Sequence, residues 1–101
     1  MYDMKKLANL EKMNTAAEPG MKAFWAFNDA AFADGALNRL TKELIALGVA
    51  MTTQCPYCIE LHTKAAREAG ATDAQLSEAA LVAAAIRAGG AITHATHMFG
   101  A

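Results

Sequence analysis

The apolar run from Leu44 to Met51 constrains the fold of this chain more than any other feature. Eight consecutive apolar residues cannot form a one-sided helix, so this segment is expected to be a helix buried all round, in the core or in a subunit interface. Good helix formers fill the rest of the chain, and the alternation typical of strands is absent from the sequence. We therefore expect an all-α fold, a single compact domain of residues 1–101 with about six helices.

Turn and capping residues divide the chain into these predicted helices. They comprise residues 3–14, residues 21–33 after Pro19-Gly20, a third helix from between 36 and 41 through 51, residues 56–70, residues 72–88, and a short last helix after Gly89-Gly90. Pro56 suits the first position of the fourth helix, with Cys55 as its cap, because proline has no N–H to satisfy there. Only a short connection separates the third and fourth helices, so they are expected to form an antiparallel hairpin.

Composition limits the partners of the chain. The 9 basic and 10 acidic residues give a net charge of −1 and form no basic stripe, so nucleic acid binding has no electrostatic support. Hydrophobic residues make up 54% of the chain, which is more apolar surface than a domain of 101 residues easily hides. We expect a homo-oligomer.

The sequence also suggests a location. No apolar stretch is expected to reach the length needed to span a bilayer, and the first residues are too polar for the core of a signal peptide. We therefore expect a cytoplasmic protein without a membrane partner. In a reducing compartment, a Cys-x-x-Cys pair is more often catalytic or metal-binding than structural.

The residues that point to chemistry are Glu43, Cys55, Cys58 and His62. Cys58 and His62 are four residues apart on one helix and therefore share a face with Cys55, one turn earlier. Glu43 lies about three turns from the hairpin bend and His62 about two turns down the other arm, so their side chains are expected to meet directly or through a water. Glu43 is too far from Cys55 for direct contact if its helix is continuous, which makes His62 or water the intermediary.

These residue types suit redox work at sulfur. A thiol is mostly protonated at neutral pH, and a helix N-terminus favours its thiolate. A histidine one turn away can take up the proton, and a buried carboxylate serves as a general base once it has a partner. Helix-cap reasoning alone makes Cys55 the exposed nucleophile.

A structural zinc site is the main alternative to a redox pair. Cys55, Cys58 and His62 supply three ligands, but structural zinc usually takes four and the chain has no second cysteine pair. His94 or His97 completes the set only if the last helix folds over the site. Taken alone, these two histidines are more typical of interface or surface residues.

The pattern Glu43-x11-Cys55-x2-Cys58-x3-His62 resembles the signature of the alkylhydroperoxidase D-like proteins, within the carboxymuconolactone decarboxylase superfamily. The resemblance covers about residues 38–97. It implies an all-helical subunit of a homo-trimer or homo-hexamer with antioxidant thiol peroxidase activity. It also implies that Cys58 attacks the hydroperoxide after Glu43 and His62 relay its proton away, and that Cys55 captures the sulfenic acid as a disulfide.

Three further expectations follow. Some members of the family carry histidine where this chain has Tyr57, whose phenol is a poor base near neutral pH. Weaker peroxidase turnover or a different substrate is therefore expected. The chain has no room for a flavin or nicotinamide domain, so no cofactor or metal is expected and an external dithiol or thiol protein must supply the electrons. The alternatives are a carboxymuconolactone decarboxylase-type enzyme, whose chemistry needs no cysteine pair, and a non-enzymatic metal-binding oligomer.

Overall fold

A computed structural model describes residues 2–100, which contain five α-helices, two 3-10 helices and no strand. The elements are a 3-10 helix Met4–Asn9, α1 (Leu10–Ala16), α2 (Glu18–Phe32), α3 (Arg39–Thr53), α4 (Pro56–Glu68), α5 (Asp73–His94) and a 3-10 helix Ala95–Met98. The all-α expectation is confirmed. The chain divides into two compact units, one up to Arg39 and one from Leu40 onward. The expectation of a single domain stays a prediction.

The first unit differs from the sequence-based helix boundaries. The predicted helix 3–14 is a 3-10 helix followed by the short α1, and Asp3 caps its start by accepting the backbone N–H of Lys5. Pro19 does not separate two helices but lies in the first turn of α2, where its missing N–H is harmless. The Trp25 indole N–H donates to the Asn14 side chain at 2.8 Å and so ties α2 to α1.

Helix α5 runs without interruption through Gly89 and Gly90 to His94, so the predicted break there is wrong. Glycine in a helix costs only about 1 kcal/mol relative to alanine, and the Ala-rich flanks offset that cost. The start of α5 is as expected. Thr72 and Gln75 form a capping box, in which each side chain accepts the backbone N–H of the other residue.

The hairpin between α3 and α4 sets the position of the cysteine pair. Gln54 has φ 58°, in the left-handed region, and the Cys55 N–H donates to the Ala50 carbonyl at 3.1 Å. This is a Schellman ending, which reverses the chain immediately after α3. Cys55 then caps α4 and Pro56 begins it, as predicted.

The same kind of ending closes α4, where Gly70 has φ 101°. The backbone of a residue with a β-carbon is strained in this region, and that of glycine is not. Gln54→Gly is therefore expected to stabilise the fold by about 0.5–1 kcal/mol, and Gly70→Ala to destabilise it by about 1 kcal/mol or more. Urea unfolding measures both effects, and a lower midpoint for Gln54→Gly would contradict the strain at that position.

The core of the second unit is small and lies where α3 meets α4. Leu47 and Ala66 are buried, Ala71 completes the cluster, and α3 places Glu43, Leu47 and Ala50 on one face through steps of four and three residues. Glu43 is therefore buried because it occupies the core face of its helix. The opposite face of α3 is exposed at Ile45 and Val49.

A large apolar surface remains uncovered in the second unit. An open groove of about 620 Å³ lies between α3 and α5, with residues such as Leu44, Val49, Val82 and Ile86 along its walls. Ile86 is 72% exposed. A surface of this kind is typical of a chain that buries its helices against another molecule.

The segment Asp73–Met98 is long and apolar enough, by length and composition alone, to cross a membrane. The expectation that no stretch reaches this length is therefore wrong. It failed because the segment is rich in alanine, with leucine, isoleucine and valine spread thinly along it. Helices that are apolar all round also occur inside protein assemblies, so this property alone does not identify a membrane span.

Candidate functional site

A pair of hydrogen-bonded side chains joins the two arms of the hairpin. Glu43 on α3 is 1% exposed, and its Oε2 lies 2.6 Å from Nδ1 of His62 on α4, whose side chain is 26% exposed. The direct contact expected from their depths in the hairpin is thus present. The carboxylate at Nδ1 fixes the orientation of the imidazole ring of His62 within the hairpin.

The two sulfur atoms meet at the start of α4. The Sγ atoms of Cys55 and Cys58 are 2.8 Å apart, and both cysteines are free thiols with partial exposure. The Cys55 Sγ also accepts the backbone N–H of Cys58 at 3.3 Å. A disulfide needs about 2.05 Å between its sulfurs, so a movement of less than about 1 Å brings these two into bonding distance.

Hydrogen bonding shifts the pKa values of the two thiols in opposite directions. The hydrogen bond with the Cys58 thiol lowers the pKa of Cys55, the backbone N–H groups of Cys58 and Tyr57 lower it further, and burial opposes them. The pKa of Cys58 is raised, first by its hydrogen bond to Cys55, then by burial and by the negative charge on Cys55. When one of the two thiols ionises, the negative charge therefore lies on Cys55 and the proton stays on Cys58.

This charge distribution predicts selective alkylation. At neutral pH, Cys55 has the larger thiolate fraction because its pKa is lowered while that of Cys58 is raised. Brief treatment with iodoacetamide is expected to modify Cys55 several-fold faster than Cys58, as read by peptide mass spectrometry. The preference should fade as the pH rises and both thiols ionise. Preferential labelling of Cys58 at neutral pH would contradict the assignment.

All four predicted site residues lie in the second unit. The structure brings Glu43 to His62 and Cys55 to Cys58, and places His62 one helical turn after Cys58 on the same helix. His94 is the last residue of α5 and His97 lies in the 3-10 helix that follows, with their ring centroids 5.5 Å apart. Within residues 2–100, no group of three or more His, Cys, Asp or Glu side chains is arranged to hold a metal ion, so the zinc alternative has no gathered ligand set.

One contact next to the site was not anticipated from the sequence. Arg87 on α5 donates from Nη1 to the carbonyl oxygen of Thr52 at 2.6 Å, three residues before Cys55. The only sequence signal that could have indicated a specific role is the isolation of this arginine in an otherwise apolar stretch, and the residue it bonds is 35 positions away.

Comparison with known proteins identifies relatives of this chain. The profile of the carboxymuconolactone decarboxylase family matches residues 18–100. A Paracoccus denitrificans protein named "Uncharacterized protein 4 in cox locus" is 58% identical over 73 residues, which are 72% of this chain and 66% of that protein. A Cupriavidus necator protein is 38% identical over 66 residues, 65% of this chain and 58% of that one. The chain thus spans less than two thirds of the length of either relative.

Two solved structures are similar to this chain. The apo form of a carboxymuconolactone decarboxylase family protein from Legionella pneumophila aligns with a TM-score of 0.77 and 34% identity, over 81% of this chain and 73% of that one. A protein from Methanobacterium thermoautotrophicum aligns with a TM-score of 0.75 and 38% identity, over 79% of this chain and 92% of that one.

Proposed function

This chain belongs to the carboxymuconolactone decarboxylase family, and from that premise we propose that it is an antioxidant thiol-dependent peroxidase that reduces alkyl hydroperoxides. The same pair of thiols makes it a disulfide oxidoreductase toward its reductant. The observation that carries the proposal is the pairing of two free thiols 2.8 Å apart with a buried Glu43–His62 pair on the same hairpin.

In the proposed reaction, Cys58 is the residue that attacks the hydroperoxide. Its raised pKa means that it must lose a proton at the moment of attack, and His62, backed by Glu43, is one turn away on the same helix. The Cys58 sulfur bonds to one peroxide oxygen and the O–O bond breaks. The proton goes to the departing alkoxide, which leaves as an alcohol, and Cys58 becomes a sulfenic acid.

Cys55 completes the first half of the cycle. Its lowered pKa provides a thiolate that attacks the Cys58 sulfur, and the hydroxyl group leaves as water after it gains a proton. The product is the Cys55–Cys58 disulfide, so two electrons have passed from the two thiols to the hydroperoxide. An external dithiol or thiol protein then returns both electrons by thiol–disulfide exchange. This requirement supports a cytoplasmic location, where such thiols are kept reduced.

We include in the proposal that the chain works as a homo-trimer or homo-hexamer. The groove between α3 and α5 and the exposed apolar side chains of α5 support a protein partner for this surface. Light scattering after size-exclusion chromatography tests this point, and a monomeric mass at micromolar concentration would contradict it.

The proposal as a whole is tested by following an alkyl hydroperoxide with the purified chain and dithiothreitol. Consumption that requires both the chain and the dithiol supports a thiol peroxidase. A chain that leaves the hydroperoxide untouched but decarboxylates carboxymuconolactone supports the alternative enzyme. Stoichiometric zinc in freshly purified protein, together with inactivity in both assays, supports the metal-binding oligomer.

A further inference from the structure

A guanidinium group holds the end of the helix that leads into the cysteine pair. Arg87 Nη1 donates to the Thr52 carbonyl at 2.6 Å. The last four carbonyl groups of a helix have no partner within the helix, and the carbonyl of Thr52 is in the last turn of α3. A cation at this position also interacts favourably with the negative end of the helix dipole.

The position of Arg87 in α5 makes this contact specific. Within α5, Arg87 is the only arginine or lysine, and its neighbours on both sides are isoleucine and alanine. The bond therefore joins α5 to the hairpin through a single charged group. Charge-assisted hydrogen bonds of this kind are about twice as strong as neutral ones.

The bend that follows α3 needs such support. Gln54 lies in the left-handed region at φ 58°, which a residue with a β-carbon adopts at a cost. The Ala50–Cys55 backbone bond closes the turn around Gln54, and the Arg87–Thr52 bond anchors the chain on the α3 side of it. The direction in which Cys55 leaves the bend decides whether its sulfur reaches the N–H and the sulfur of Cys58.

We propose that Arg87 is a positioning residue for the redox pair, which fixes the end of α3 and thereby holds Cys55 Sγ within bonding reach of Cys58 Sγ. Arg87 itself touches neither sulfur in this account and takes no part in proton transfer. The role rests on the proposed thiol chemistry, but its test needs no hydroperoxide.

The test measures how fast the two thiols close on each other. An aromatic disulfide reagent such as dithiobis(nitrobenzoate) reacts with one thiolate, forming a mixed disulfide and releasing one aryl thiolate. The second cysteine then attacks the mixed disulfide, expels a second aryl thiolate and forms the Cys55–Cys58 disulfide. The rate of the second release reports how well the two sulfurs are positioned.

Arg87→Met removes the donor and keeps helix propensity, and it is expected to slow this closure at least about fivefold, as a lost charge-assisted hydrogen bond would. Arg67→Met is the matched control, because Arg67 donates to Asp73 at 2.8 Å at the exposed α4–α5 connection, away from the cysteines in sequence. The control chain is expected to form the Cys55–Cys58 disulfide at a rate within about twofold of the wild-type rate. Arg87→Lys restores a cationic donor and is expected to recover part of the loss.

The test distinguishes a failure of the proposed function from a failure of the proposed role of Arg87. A wild-type chain that keeps two mixed disulfides and never closes contradicts the proposed function. A wild-type chain that closes normally, with Arg87→Met closing equally fast, overturns only the role of Arg87. Equal slowing in Arg67→Met and Arg87→Met also overturns it, because a general loss of stability then explains both. If Arg87→Met does not fold, the comparison of Arg87→Lys with Arg67→Lys decides in the same way.

Discussion

Cys58→Ser is expected to lower dithiol-dependent hydroperoxide turnover by at least about 1000-fold, because serine lacks the nucleophilic thiolate on which the reaction depends. Cys55→Ser is expected to lose turnover to a similar extent for a different reason. Its Cys58 still reacts once with the hydroperoxide, but no second sulfur 2.8 Å away is present to capture the sulfenic acid. The measurement is the steady-state consumption of an alkyl hydroperoxide with dithiothreitol.

A trapping experiment separates the two cysteines. A cyclic diketone that reacts with sulfenic acids is expected to label Cys58 in the Cys55→Ser chain and to leave the Cys58→Ser chain unlabelled. The opposite pattern would assign the first attack to Cys55, as helix capping alone suggests. Wild-type turnover in both variants would reject the thiol mechanism altogether.

Glu43→Gln is expected to lower turnover by about 100-fold while the chain stays folded. The amide keeps the size of the side chain and its oxygen still accepts from Nδ1 of His62, so the 2.6 Å contact has a replacement. The amide cannot take up a proton, so the proposed relay through His62 loses its final acceptor. The same hydroperoxide assay measures the effect, and far-ultraviolet circular dichroism checks the fold.

Glu60→Gln is the matched control for this substitution. It removes the same charge from an exposed position on α4, between Cys58 and His62 in sequence. Its turnover is expected to stay within about twofold of wild type, because an exposed charge is strongly screened. Equal losses in Glu43→Gln and Glu60→Gln would show that net charge matters and the buried pair does not.

The sequence predicted those parts of the fold that depend on local chemistry. Pro56 at the first position of α4 and the Thr72–Gln75 capping box each follow from hydrogen bonds within a few residues. The Glu43–His62 contact was also predictable, because a short connection between two helices fixes the relative depth of their side chains.

Other features depend on the competition between local preference and context. Gly89 and Gly90 suggest a break in the helix, but the free-energy cost of glycine in a helix is small and α5 continues through them. Pro19 suggests the end of a helix, but it lies in the first turn of α2, where proline is tolerated. The Arg87–Thr52 bond joins residues 35 positions apart, and no local pattern indicates which carbonyl an isolated arginine will meet.

The most direct test of the central claim is a count of free thiols before and after one equivalent of alkyl hydroperoxide is added to the fully reduced chain. Both thiols of each chain are expected to disappear together. Mass spectrometry is expected to find one Cys55–Cys58 disulfide within a chain and no crosslinks between separate chains. Two thiols that survive the hydroperoxide, or a disulfide formed only between chains, would contradict the central claim.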